Sequence, residues 1–138
     1  INRTAHKIAN QYVSKLTTVK KEHISKILNY VKEGEQILKH GNIDDFGRLL
    51  NDAWMEKKAL SSLITNSKIN DIYDDAIRFG ALGGKLLGAG GGGFLLMYMR
   101  QDQRKKFFKK NYQLINIPFK FTSTGSEIIF DQLKKDKK

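Results

Sequence analysis

The chemistry this chain offers is concentrated between Gly80 and Met99, a stretch that holds eight of its twelve glycines. The densest part is Gly88-Ala89-Gly90-Gly91-Gly92-Gly93. Glycine loses more conformational freedom on ordering than any other residue, so such a tract must do what side chains forbid. Two things meet that need: positive φ at several positions, and close approach of backbone N–H groups to another surface. Successive exposed N–H groups make a concave anion site, and the usual anion is phosphate. A tight bend against a neighbouring backbone, with no ligand, satisfies the same composition. Lys85, three residues before Gly88, supplies a cation that reaches a phosphate in the first reading and faces solvent in the second.

Three glycine motifs can be tested against this stretch. A P-loop needs Ser or Thr after its Gly-Lys pair, but Gly84-Lys85 is followed by Leu86, and the position of the earlier glycine is Phe79. The spacing G-x-G-x-x-G is met literally at Gly88, Gly90 and Gly93. A dinucleotide site requires a helix next and an acid about 20 residues on. Here a short apolar run, Phe94 to Met99, reads as a strand buried on at least one face, and the region beyond is rich in lysine. A protein-kinase flap lies between strands, but nothing downstream resembles its V-A-I-K or H-R-D segments.

The elements that must position this loop follow from periodicity. Ala5, Ile8, Ala9, Tyr12, Val13 and Leu16 form one helical stripe. Thr17 or Thr18 caps a second helix, or marks a bend in one long helix, with Ile24, Ile27, Leu28, Val31 and Ile37-Leu38 continuing to His40. Gly41-Asn42 stops it. Asn42 or Asp44 caps a third helix whose stripe is Phe46, Leu49, Leu50, Ala53, Trp54 and Leu60. Ser61 to Lys68 reads as a loop, and Ser67 or Asn70 opens a fourth helix that Gly80 closes.

A glycine-turned hairpin comes next, with strands near Leu82–Leu87 and Gly93–Met99, then a basic helix from Gln101 to Asn111. Tyr112 to Ile117 reads as a short strand or a connection. Phe119, Phe121 and Ile128-Ile129-Phe130 predict two last strands around the turn Ser123-Thr124-Gly125-Ser126. Pro118 argues against a central strand there. The order predicts an α+β domain, with helices packed on one face of a small, mostly antiparallel sheet.

The totals bound the rest. At 138 residues, residues 1–138 form one domain large enough for a core, and 40% hydrophobic content is globular. Absence of cysteine removes disulfides, thiolate nucleophiles and Cys-based metal sites, and suits a reducing cytosol. No apolar run approaches a membrane span. A net charge of +11 attracts anions, although Lys134-Lys135 and Lys137-Lys138 belong to a tail over 132–138 that reads as flexible. The start at Ile1, inside a helical pattern, is expected of the C-terminal part of a longer protein. His6, His23 and His40 are dispersed without acids at metal-ligand spacing, and Asp44-Asp45 and Asp74-Asp75 read as helix-cap charge. Asp71 and Asp74 share a helix face, a weak cation signal.

Gly83-Gly84-Lys85-Leu86-Leu87-Gly88-Ala89-Gly90-Gly91-Gly92-Gly93-Phe94 resembles the K-x-x-G-A-G-x-G-G-type third motif of the GHMP small-molecule kinases. The likeness extends over most of the chain, through Arg3-Thr4-Ala5, Trp54 with Lys57-Lys58, Ile69 to Ala76, and Pro118-Phe119 to Gly125-Ser126. It is closest to the kinases of D-glycero-D-manno-heptose 7-phosphate. The resemblance implies a ferredoxin-like C-terminal half, with Lys85, Gly88, Ala89, Gly90, Gly91, Gly92 and Gly93 lining a phosphate and substrate cleft. It also implies a sugar-phosphate contact at Trp54, Lys57 and Lys58, set beside the blander reading of a core Trp flanked by solvated lysines. Arg3 falls just after the implied domain junction, and its guanidinium suits phosphate. The implied whole enzyme moves the γ-phosphoryl of ATP, with Mg²⁺, onto the C1 hydroxyl of the heptose phosphate.

The family's P-x-x-x-G-L-G-S-S-A-like loop, its acidic activating residue and its magnesium ligands are not in this sequence. The resemblance assigns these to an N-terminal domain, so no catalytic residue and no metal ligand is expected here, and the chain alone is expected to be inactive. Two rivals stand: another kinase of the family, acting on fucose or a different sugar, and a basic nucleic-acid module. The module draws on Phe107, Phe108, Tyr112, Phe119 and Phe121 among lysines. Against it, no RRM, KH or helix-turn-helix signature is present, and those aromatics are spaced like a core.

Overall fold

A computed structural model describes residue 10 and residues 18–127. The first helical stripe, Arg3, the Ile128–Phe130 strand and the basic tail lie outside the described residues.

Helix α1 spans Thr18–His40 and ends at Gly41, whose N–H donates to Ile37 O at 2.8 Å. Helix α2 spans Ile43–Leu60. Its N-cap is Asn42, whose side chain accepts from Asp44 N at 3.0 Å. That leaves the Asp44 carboxylate for a longer reach: it accepts from Tyr98 OH at 2.9 Å and from Arg100. Those two donors, the guanidinium first, hold the Asp44 carboxyl below the usual carboxylate range. Glu56 on α2 does the same for α1, accepting from His23 Nδ1 and from Lys26 Nζ.

Helix α3 spans Ser67–Arg78. Its cap is Asn66, not Ser67 or Asn70, because Asn66 Oδ1 accepts from Ile69 N at 3.0 Å and so satisfies one open donor of the first turn. Strands β1 (Gly83–Leu86) and β2 (Leu95–Tyr98) pair antiparallel, with Gly83 opposite Tyr98 and Leu86 opposite Leu95. Helix α4 spans Gln101–Lys110. The domain is thus α+β, four described helices packed on a two-stranded antiparallel sheet.

The core has two parts. Trp54, Leu60, Ile64, Tyr73 and Leu86 form one, joining α2, the α2–α3 connection, α3 and β1. Tyr73 OH donates to Asn51 Oδ1 at 2.8 Å, and burial pushes its pKa up to about 12, so the phenol stays a neutral donor. Ala76, Ala81 and Phe107 form the second part and seat α4.

Asp75, buried on α3, latches α4 in place. It accepts from Lys110 Nζ at 2.8 Å, from Asn111 Nδ2 at 2.8 Å and from Arg78 at 3.1 Å. The Lys110 and Asn111 hydrogen bonds hold its carboxyl below the usual range. A depressed folded pKa contributes stability above the unfolded value of about 3.9, and that stability is lost as pH falls through the folded value. In urea melts, Asp75→Asn is therefore expected to lower the midpoint at pH 6 and to make its fall below about pH 4 shallower. An unchanged acid slope would show that the latch does not form.

Of the last two expected strands, the one through Phe119 and Phe121 is not formed among the described residues. Residues 111–127 contain no strand, and Phe119 and Phe121 are 63% and 94% exposed. A strand exists only with a ladder partner, and the partner expected for Phe119–Phe121 lies outside the described residues. The aromatics also part company. Phe107 is buried, while Tyr112, Phe119 and Phe121 are exposed, so spacing alone misjudged them as core. The reason is that residues 111–127 form neither helix nor strand, so their spacing fixes no common face.

Candidate phosphate site

The glycine tract closes the β1–β2 hairpin, and Leu87 N donating to Phe94 O at 2.9 Å forms its base. Four of its residues need positive φ: Gly88 at 79°, Gly90 at 115°, Gly91 at 75° and Gly93 at 113°. Side-chain-bearing residues pay a strain cost there. Gly90 has a second reason. A Cβ on it would lie 2.7 Å from Ile64 Cα and 2.9 Å from Ile64 O. The crown of the loop is docked on the α2–α3 connection, where Gly91 N donates to Ile64 O at 2.8 Å. Asn66, having capped α3, donates its Nδ2 to Gly91 O at 3.4 Å. Ala89, the tract's one side chain, packs against the Trp54–Ile64 core.

The bend reading of the tract is met at two residues. Gly90 and Gly91 make the bend against a neighbouring backbone, and the Gly91 amide is spent inside the domain. That amide is therefore not available to a ligand. The N–H groups of Gly88, Ala89, Gly90, Gly92 and Gly93 make no hydrogen bond among the described residues. Gly92 has no positive φ, and a Cβ on it would meet nothing within 4 Å.

The lysines divide in the same way. Lys57, half-buried on α2, donates to Gly88 O at 2.6 Å and Leu86 O at 3.2 Å, so it ties the near side of the loop to the helix. Burial first, and the Lys85 charge second, pull its pKa down. Lys85 on β1 has no ion-pair or hydrogen-bond partner among the described residues. Lys57 is thus spent on the loop's carbonyls, and Lys85 is the lysine left without a partner on the strand that enters the loop. Lys58 Nζ sits 5.7 Å from the Trp54 ring centre and 5.8 Å from that of Tyr73, a cation–π seat. Trp54 itself is fully buried, 6.3 Å from Tyr73 centre to centre. It has no face to offer a sugar, and the expected direct contact at Trp54 gives way to a core role beneath Lys58.

Free amides and the unpartnered Lys85 ammonium suit an anion. No carboxylate or imidazole hydrogen-bonds to the tract, so the arrangement can position and stabilise phosphoryl charge but supplies no acid or base. Among the described residues no three His, Asp or Glu come together in a way that could hold a metal ion. The Ile64 and Asn66 braces escaped sequence reading. The signal available was Thr65-Asn66-Ser67, a capping run directly before the apolar positions of α3.

The profile of the family described as GHMP kinases C terminal matches residues 35–113, more than half of the chain. The chain belongs to that family. This GHMP kinase domain is 34% identical over 106 residues to an L-fucokinase/L-fucose-1-P guanylyltransferase of Bacteroides fragilis, covering 75% of the chain and 11% of that protein. It is 41% identical over 66 residues to a D-glycero-alpha-D-manno-heptose 7-phosphate kinase of Campylobacter jejuni, covering 46% of the chain and 19% of that protein. The chain therefore spans only a small share of these curated relatives. The crystal structure of L. major mevalonate kinase in complex with R-mevalonate shares the fold of the GHMP domain. Its TM-score is 0.72 at 22% identity, over 82% of this chain and 35% of the other. No described helix is long and apolar enough to cross a membrane.

Proposed function

We propose that this domain is the C-terminal half of an ATP-dependent sugar kinase that phosphorylates D-glycero-D-manno-heptose 7-phosphate at C1. The observation that carries the reading is the Lys85 ammonium, without a carboxylate partner among the described residues, on the strand that enters the loop beside its free amides. A cation left without a partner beside open amides suits a phosphate. ATP brings one such anion whatever the sugar; a phosphorylated acceptor adds a second, which Lys85 accommodates and neutral fucose does not supply. The heptose phosphate kinase relative supports the same choice, and the fucokinase relative supports the alternative.

In this proposal the partner is the protein's own N-terminal domain, which closes the cleft over the glycine loop. ATP phosphates fit the loop's donors, whereas Mg²⁺ needs carboxylates that the loop lacks, so its ligands belong to the partner domain. ATP supplies the phosphoryl group. This chain's amides and lysines hold the charged groups in line, a positioning and electrostatic contribution. A cytoplasmic setting accords with ATP use and with a cysteine-free sequence.

The test is phosphoryl transfer by the complete kinase to the heptose phosphate and to L-fucose. A preference of about 100-fold or more in kcat/KM for the phosphorylated sugar is expected. Lys85→Met is expected to reduce that kcat/KM by about 10- to 100-fold, the worth of one charge-assisted contact, and to leave the melting temperature unchanged. Preference for L-fucose, undiminished by Lys85→Met, would hand the assignment to the fucokinase alternative.

A further inference from the structure

A cavity of about 480 Å³ lies between α4 and the turn that follows it, and shares no residue with the glycine loop. Arg104 and Lys105 line it from α4, four and three residues before Phe108, so both cations share a helix face with that ring. Tyr112, Leu114 and Asn116 line it from the following segment. The wall is fixed, not draped. Asn111 Nδ2 donates to Asp75 Oδ2 at 2.8 Å and to Phe107 O at 3.1 Å, and Leu114 N donates to Asn111 O at 3.0 Å. The floor is fixed too. Phe108 is held edge-on to the buried Phe107 at 5.2 Å, and Leu114 packs on the same core cluster. Above it Tyr112 stands 86% exposed. Arg104 and Lys105 form no ion pair among the described residues, and no carboxylate lines the cavity.

We infer that this cavity binds a mononucleotide, its base against Phe108 and Tyr112 and its phosphate on Arg104 and Lys105. A bare phosphate would leave the aromatic wall unused, and an apolar ligand would bury against two unpaired cations. A planar ring carrying a phosphate satisfies both. The volume falls within the range of small-ligand sites. A single strand of RNA instead needs successive stacking surfaces along its backbone, whereas this cleft is lined by two aromatic rings only, Phe108 and Tyr112. The site stands apart from the proposed phosphoryl-transfer cleft and requires nothing of it.

The experiment is photolabelling of the complete protein with 8-azido-AMP, the labelled peptides being mapped by mass spectrometry. Saturable labelling of the peptide that contains Tyr112 is expected, competed by AMP and not by the same concentration of inorganic phosphate. Arg104→Glu and Tyr112→Ala, both at exposed positions, should each weaken labelling by about tenfold or more with no change in melting temperature. A glycine-loop variant, Gly92→Leu, should label like the parent, which separates this site from the kinase reading. Labelling that does not saturate, or that survives both cavity substitutions, overturns the proposal. So does a single-stranded oligonucleotide that competes better than AMP, which would make the surface a nucleic-acid interface.

Discussion

Replacing Gly92 by Leu in the complete kinase is expected to cut kcat by about 10²- to 10³-fold while the protein melts as before. The two halves of that expectation have separate physical origins. Gly92 has no positive φ, and its Cβ direction is open for at least 4 Å, so this domain does not object to a side chain there. Its amide, however, is among those left without a partner, and a side chain would fill the space in front of them. The proposed guest of that space is a phosphoryl group, and a side chain that keeps it from a preorganised donor costs what removing that donor would. Gly92→Ala should fall between the parent and Leu. Gly90→Ala is the control of opposite kind: it meets Ile64 backbone at 2.7 Å and sits at a φ of 115°, so it should lose stability by about 1–3 kcal/mol. Full turnover by a folded Gly92→Leu enzyme would reduce the tract to a bend.

The second large effect is on folding. Gly83→Ala is expected to destabilise the domain by about 3 kcal/mol or more, a large part of an ordinary stability of about 5–15 kcal/mol. Its Cβ would run into Gly47 O and come within 2.8 Å of both Asn51 Cβ and Asn51 N. These are α2 backbone and near-backbone atoms, which cannot swing aside as a side-chain tip would. Gly47 is the other half of the contact, since a Cβ there would stand 2.6 Å from Tyr98 Cδ1 and 2.9 Å from Leu82 Cβ. Two glycines thus let helix and hairpin approach at a distance no other residue permits. Urea midpoints for both alanine variants measure the cost. Near-parental midpoints would mean that the helix sits further from β1 than described.

Gly83 and Gly47 also show what local reading misses. Gly47 lies inside a good helical stripe, where a glycine looks only like lost propensity. Its use appears once β1 and β2 are laid across it. Trp54 was legible as a buried or a binding residue, and the third dimension decided for burial, beneath Lys58. Lys57 and Lys58 looked equivalent at adjacent positions. One turned out to grip the carbonyls of Leu86 and Gly88, the other to rest on two rings. The Asp75 latch read as mere helix-end charge, because Lys110 and Asn111 lie more than thirty residues away in sequence.

By itself, then, the sequence determined the described helices, the hairpin and the family: period, capping residues and a glycine spacing are all local patterns that a linear string preserves. Only the tertiary structure decided which amides are spent and which are open, which lysine braces the loop, and where a second cavity forms. Those outcomes rest on contacts such as Ile64 with Gly91, Lys57 with Gly88 and Asp75 with Asn111. Periodicity tells which face of an element is buried. It carries no record of what arrives from a distant part of the chain to meet that face.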